Sequence, residues 1–241
     1  MLDNLFSLFN FRDAGAYLPD LLRGALISVE LTVIVMMLSL VIGLVVALAR
    51  LSRIKAVRAV ATLYVEVIRG TPCMLQLFYI YFVLPAFGIR IGAFATGVIG
   101  LTVNYSAYLS EVYRAGIQAV ARGQVEAALS LGMSRAKMMR LVILPQAIRI
   151  VVPPLGNYFI SLFKDTALVS TITVRELIFT GQIIAANNFQ YFTIFTIAGM
   201  IYLGLSYPGS LGVQYLERRM RIGYRGRQPP ALRSATQGAL S

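Results

Sequence analysis

Few side chains in this 241-residue chain are equipped for covalent or acid–base chemistry. No histidine is present, which removes His metal ligands and His general bases together. Cys73 is the sole cysteine, so an intramolecular disulfide is impossible, and its apolar neighbours mark it as a small hydrophobe. A phosphate-binding loop needs Gly-Lys followed by Ser or Thr, because backbone N–H groups cradle the phosphates and the lysine reaches them. Lys55, Lys137 and Lys164 are the only lysines, and they follow Ile54, Ala136 and Phe163. The chain therefore lacks its own means of hydrolysing ATP and is not expected to be an enzyme.

What remains is a sparse set of polar residues inside or beside apolar blocks: Glu66, Arg69, Asn104, Glu111, Asn157, Ser161, Lys164, Asp165 and Thr166. Ionisable groups in hydrocarbon are expensive and usually functional. Each also has a plainer explanation. Arg69 follows Glu66 by three residues, so the two can pair on one helix face. Either can snorkel to an interface. The polar residues can serve helix–helix hydrogen bonds, and Lys164 and Asp165 can pair with each other.

The elements that must position these groups are set by composition. Hydrophobic residues make up 58% of the chain, charged residues only 13%, and the mean hydropathy is +0.73. A soluble domain carries about a quarter charged residues. So much apolar surface, in long blocks, has to face lipid. The expected architecture is all-α and polytopic, with about five spans near residues 24–49, 61–87, 91–113, 144–163 and 189–211. Residues 1–23 form a polar segment that is not a cleavable signal peptide, so insertion relies on the first span. Ser39, Gly43 and Ala47 recur at four-residue spacing in that span, a stripe that lets a second helix approach closely. The domain expected is a membrane unit over 24–217, with a loop over about 114–143 and a basic, disordered tail over 218–241.

The formal net charge of +12 comes from loops, with no aromatic-interleaved basic face, which argues against nucleic acid as a partner. Of the 22 Lys and Arg residues, 15 fall in the first-to-second loop, the third-to-fourth loop and the tail. Five others, Arg12, Arg23, Arg90, Lys164 and Arg175, belong to the opposite set. An excess on every second connection requires an odd number of spans with the N-terminus outside and the C-terminus inside.

One spaced motif stands on the basic side: Glu126-Ala127-Ala128, then Gly132, then, after nine residues, Val142-Ile143-Leu144-Pro145. The alanines favour a helix of little bulk. Gly132 suits a helix end or a close approach. Pro145 suits the first turn of the next helix, where its missing N–H costs nothing. This set resembles the EAA signature of ABC importer permeases, with Val142 where Ile is commoner. Arg69-Gly70-Thr71-Pro72, Gln76-Leu77-Phe78, Leu144-Pro145-Gln146-Ala147 and Lys164-Asp165-Thr166 look like the polar amino-acid (histidine/glutamine/arginine/opine) subfamily. The likeness runs over about residues 24–217. Ala167 departs from the subfamily's Ser after Lys-Asp-Thr, and Cys73 and Met74 replace a commoner aliphatic pair.

The resemblance implies a type I ABC importer transmembrane fold in a bacterial inner membrane, working by alternating access. Glu126, Ala127, Ala128, Gly132, Leu144 and Pro145 would then form the coupling segment that docks on an ATPase. The implied partners are an ABC ATPase dimer, which binds the ATP and Mg, a second permease chain (identical or related) and an extracytoplasmic substrate-binding protein. This chain would carry no cofactor and no metal. A zwitterionic amino acid needs buried polar partners where helices are broken. Pro153-Pro154 is expected to disturb the fourth helix, with Asn157 about midway across the hydrocarbon. Asn104, Glu111, Asn157, Ser161, Lys164, Asp165 and Thr166 are accordingly the pathway or gate candidates. A stand-alone secondary carrier or channel is the alternative, but such carriers show internal repeats, and none is evident between the halves.

Overall fold

The computed structural model describes residues 14–222. The expected segment ahead of residue 14 and the tail residues Arg225, Arg227, Pro229, Pro230, Arg233, Ser234 and Gly238 lie outside the described residues. Among the described residues every regular element is helical.

Helix α1 runs over Ala14–Arg50. At 1.5 Å per residue its 37 residues reach about 55 Å, against a hydrocarbon core of about 30 Å. It begins ten residues ahead of the expected span because Tyr17, Leu21 and Ala25, one turn apart, pack into a cluster formed with the last two helices. The small-residue stripe does what its spacing suggests. Ser39 and Ala47 are fully buried, and a Cβ on Gly43 would meet Leu109 and the Ser106 carbonyl at 3.0 Å.

The expected second span is not one straight helix. Helix α2 (Lys55–Gly70) and helix α3 (Cys73–Phe78) are separate. A π turn over Tyr79–Val83 and a 3-10 turn over Leu84–Phe87 continue α3. The two halves meet at 102°. Pro72 has no N–H to give and keeps Thr71 extended, at φ −117° and ψ 142°. Side chains take up the carbonyls freed there. Gln76 Nε2 donates to the Ile68 and Thr71 carbonyls at 2.8 and 3.2 Å, and Thr71 Oγ1 donates to the Val67 carbonyl at 3.0 Å.

Helix α4 (Ala93–Gln118) packs along α1. Its buried face carries Thr96, Thr102, Asn104, Ser106 and Ser110 among apolar neighbours. Among the described residues, three helices qualify as spans by length and apolarity: Gly15–Arg50, Arg135–Ile172 and Tyr191–Met220. The bent pair makes a fourth if counted as one span. Helix α4 covers the third expected block, 91–113, and is not among them. It is long enough, but its polar residues face protein rather than lipid, so its average hydropathy falls short.

Helix α5 (Arg122–Ser130) and the short α6 (Arg135–Met138) form a hairpin after α4. A π turn over Met139–Ile143 joins α6 to helix α7 (Leu144–Asp165). The fourth span therefore starts at Arg135 rather than near Leu144. Pro145 falls just after the π turn, where the widened backbone tolerates a missing N–H. Pro153 and Pro154 lie inside α7 without breaking it, which corrects the expected disturbance.

The stretch expected as a loop after α7 holds a 3-10 helix over Thr166–Ile172 and a further helix, α8 (Leu177–Asn188). Helix α9 (Tyr191–Ile222) is the last element of the described residues and carries the first residues of the expected tail. The main core joins α1, α3, α4, α7 and the 3-10 helix around Leu31, Val35, Leu77, Leu101, Leu162 and Ile172.

Candidate functional site: a polar cavity and an exposed hairpin

The break at Gly70-Thr71-Pro72 opens a cavity of about 500 Å³. Its wall takes Arg69 and Cys73 from the two sides of the break, Asn104, Tyr105 and Tyr108 from α4, and Tyr158, Ser161 and Asp165 from α7. The groups are tied to one another. Tyr105 OH donates to Asp165 Oδ2 at 2.6 Å, and Asn104 Nδ2 donates to Gln76 Oε1 at 3.2 Å. Tyr158 meets Tyr105 edge-on and Tyr108 at a tilt, with ring centroids 6.2 and 6.1 Å apart. The Arg69 guanidinium lies over the Tyr108 ring at 5.2 Å. The cavity thus offers one carboxylate, one guanidinium and several hydroxyl or amide groups on an aromatic lining.

Of the seven pathway candidates, the cavity brings together Asn104, Ser161 and Asp165. Asn157 is exposed and Thr166 is buried, with its hydroxyl donating to the Phe163 carbonyl at 2.7 Å. Lys164 is exposed and does not pair with Asp165. Glu111 stands beside the cavity in an ion cluster. Arg114 donates to it at 2.6 and 3.1 Å, Arg50 donates to it from the end of α1, and Arg69 approaches to 4.0 Å. Arg69 therefore faces Glu111 rather than Glu66, which is exposed and makes no ion pair among the described residues.

The hairpin is a second, separate feature. Gly132 has φ +72°, and the turn is closed by Met133 N–H to the Ala128 carbonyl at 3.1 Å and Gly132 N–H to the Leu129 carbonyl at 2.9 Å. These two bonds are the Schellman pattern of a helix C-terminus. Ala128 packs inward with Val120, Met138, Ile143 and Ala147, while Glu126, Ala127, Leu129 and Leu131 stay exposed. Leu144 and Pro145 are exposed one turn beyond the hairpin. Small and apolar side chains left uncovered on a helical knob suit insertion into another protein's groove.

Residues 39–222, most of the chain, match the family described as the binding-protein-dependent transport system inner membrane component. The chain belongs to that family of permeases. It is 41% identical over 206 residues to the L-cystine transport system permease protein TcyB of Bacillus subtilis (strain 168), covering 85% of this chain and 88% of the relative. It is 40% identical over 207 residues to the glutamine transport system permease protein GlnP of Escherichia coli (strain K12), covering 85% and 94%. Among solved structures, the crystal structure of an amino acid ABC transporter with histidines is 42% identical, with a TM-score of 0.85, over 87% of this chain and 98% of that one. The MetNI methionine ABC transporter in an inward-facing form, at 22% identity and TM-score 0.62, shares the fold.

Two features of this permease escaped the sequence reading. The Tyr105, Tyr108 and Tyr158 lining was hidden because tyrosines in apolar helices look like ordinary core. Glu176 is fully buried. It accepts from Ser28 at 3.2 Å, Tyr202 at 3.1 Å and the Phe179 N–H at 2.9 Å, capping α8 and tying it to α1 and α9. Its position three residues ahead of Phe179 is a capping spacing, legible once α8 is suspected.

Proposed function

We propose that this permease moves polar amino acids, or opines, across a bacterial cytoplasmic membrane as the transmembrane subunit of an ATP-driven importer. The observation that carries the reading is the cavity. In a chain of this family, one acid and one guanidinium lie within a single aromatic-lined space at a helix break. A zwitterion requires that combination, because its ammonium and carboxylate each need a charged partner once water is stripped away. The named substrates of the relatives, cystine and glutamine, are amino acids, and so support the same class.

The energy source is a separate ATPase dimer, which binds ATP and Mg and grips the exposed hairpin through Glu126 and Ala127, with Gly132 shaping the turn and Leu144 and Pro145 beyond it; Ala128, expected among the docking residues, is instead buried and anchors the hairpin from within. A second permease chain, identical or related, completes the pathway, and an extracytoplasmic binding protein delivers the solute. The hairpin lies inside the cell and the α8–α9 turn outside. Alternating access follows when ATPase closure draws the hairpins of two permeases together, so that the affinity of the cavity differs between states.

The test is competition of labelled amino-acid uptake in cells lacking this chain and in cells with it restored. Restoration should return uptake that one or a few polar amino acids compete away, and an ATPase should co-purify with the chain. Uptake indifferent to every amino acid, or solute movement by the purified chain without a nucleotide-hydrolysing partner, would overturn the proposal.

A further inference from the structure

The cavity and the hairpin leave the Glu111 cluster without a role. Its three guanidiniums come from three helices: Arg50 ends α1, Arg69 precedes the end of α2 and Arg114 lies on α4. They are not equivalent. Arg114 is bound at 2.6 and 3.1 Å and Arg50 is also hydrogen-bonded, whereas Arg69 stands off at 4.0 Å. The side chain of Arg50 is 13% exposed and that of Arg114 29%, against 42% for Arg69. A carboxylate has about four acceptor positions and a single charge, and two close guanidiniums satisfy both. Arg69 is the partner that Glu111 can give up. It is also the one member of the cluster that lines the cavity, and the only cation in that lining.

We propose that Glu111 is a positioning residue that holds Arg69 in reserve at the cavity wall, and that a carboxylate-bearing solute competes with Glu111 for that guanidinium. The identity of the competing anion rests on the amino-acid reading above; the hold of Glu111 on Arg69 does not. Entry of a carboxylate replaces a loose 4.0 Å contact with a charge-assisted, bidentate one, while Arg50 and Arg114 keep Glu111 neutralised. The Tyr108 ring, over which the guanidinium already lies, keeps its plane facing the cavity during the exchange.

Cys73 lines the same cavity and is the chain's only cysteine, which supplies a probe independent of the solute. In the assembled complex, its thiolate is modified either by anionic 2-sulfonatoethyl methanethiosulfonate or by neutral methyl methanethiosulfonate, and this chain's mass is followed over time. A freed guanidinium near Cys73 draws in the anionic reagent, whereas any change in the thiolate fraction speeds both reagents alike and cancels, so the ratio of the two rates reports on Arg69. Glu111→Gln should raise that ratio roughly tenfold, the low end of what a fixed charge does to local counter-ion concentration. Glu111→Asp, which keeps the charge but withdraws it by one methylene, should raise it less. Neither change should raise it in an Arg69→Gln background. An unchanged or lower ratio in the Glu111 variants, or a gain that survives Arg69→Gln, overturns the proposal. If Glu111→Gln does not assemble, Glu111→Asp with and without Arg69→Gln decides. Neither reagent is a transported solute, so a wrong substrate class leaves this result standing. A flat ratio beside normal amino-acid uptake removes only the role of Glu111.

Discussion

At the scale of single residues, a backbone angle and a phenol decide more than any conspicuous charge. Gly132 has φ +72°, and beyond its two chain neighbours no atom lies within 4 Å of where a Cβ would stand. A substitution there is penalised by the backbone angle and not by crowding, at about 1–2 kcal/mol for an ordinary L residue. Gly132→Val should weaken retention of the ATPase during purification, while Gly132→Asn, whose side chain tolerates the left-handed region, should retain more of it. Equal damage from both would show that the exposed face, and not the turn, is what matters. Asp165 is held toward the cavity by the Tyr105 hydroxyl at 2.6 Å. Asp165→Asn keeps the shape and removes the charge, so uptake should fall by about tenfold or more, the loss of roughly 1.4 kcal/mol of solute binding, with membrane insertion intact. Tyr105→Phe leaves the carboxylate in place and should cost less. Unaltered uptake kinetics in Asp165→Asn would remove that residue from the pathway.

At the scale of elements, the α4–α7 contact is the tightest joint near the hairpin. A Cβ on Gly116 would lie 2.2 Å from Val151 Cγ2, far inside contact distance. Gly116→Ala should therefore overpack the joint at a cost of about 1–3 kcal/mol, seen as a lower melting temperature of the purified complex. Val151→Ala in the same chain should restore most of it, because the methyl group that clashes is the one removed. The break in the second span is a joint of another kind. Gln76→Leu would take a donor from the partly buried Ile68 and Thr71 carbonyls, the first of which keeps the Thr71 hydroxyl, and would leave the buried Asn104 amide short of a partner, at about 1–3 kcal/mol for the buried group. Uptake should fall in that variant with expression retained.

These joints also mark where the sequence stopped being informative. Long apolar blocks announce helices because lipid rewards them residue by residue. All five expected blocks are helical, though α4 is less apolar than a span facing lipid on every side. The bend at Thr71-Pro72 stayed hidden because both arms are apolar and hydropathy carries no direction. Helix α8 was missed because Arg175 and Glu176 looked like loop charges. The fully buried Glu176 instead caps that helix with help from Ser28 and Tyr202, far away in sequence. Pro153-Pro154 misled in the opposite sense, since packing of α7 against α4 and α9 holds the helix together around them. Asn104, Ser161 and Asp165 were findable as polar residues in apolar surroundings. The assignment of Glu111 to a cluster rather than to the cavity required knowing that Arg50 and Arg69 end neighbouring helices.

At the scale of the whole molecule, the decisive question is which way the chain faces. The Lys and Arg residues crowd onto the α1–α2 connection, the hairpin and the end of α9, and they avoid the α8–α9 turn. Charge of that sign resists translocation, so the crowded side should be cytosolic. Two exposed positions on opposite ends make the inference testable: Leu131 on the hairpin, 78% exposed, and Phe189 at the α8–α9 turn, 83% exposed. In a Cys73→Ser background, Phe189→Cys should react with an impermeant maleimide added to spheroplasts, and Leu131→Cys should react only after the membrane is opened. If the motor covers the hairpin as proposed, removing the ATPase should then speed labelling of Leu131→Cys in opened membranes and leave Phe189→Cys unaffected. The reverse pattern would put the hairpin outside, beyond the reach of any cytosolic ATPase, and the cavity would have to be filled and emptied by some force other than nucleotide hydrolysis.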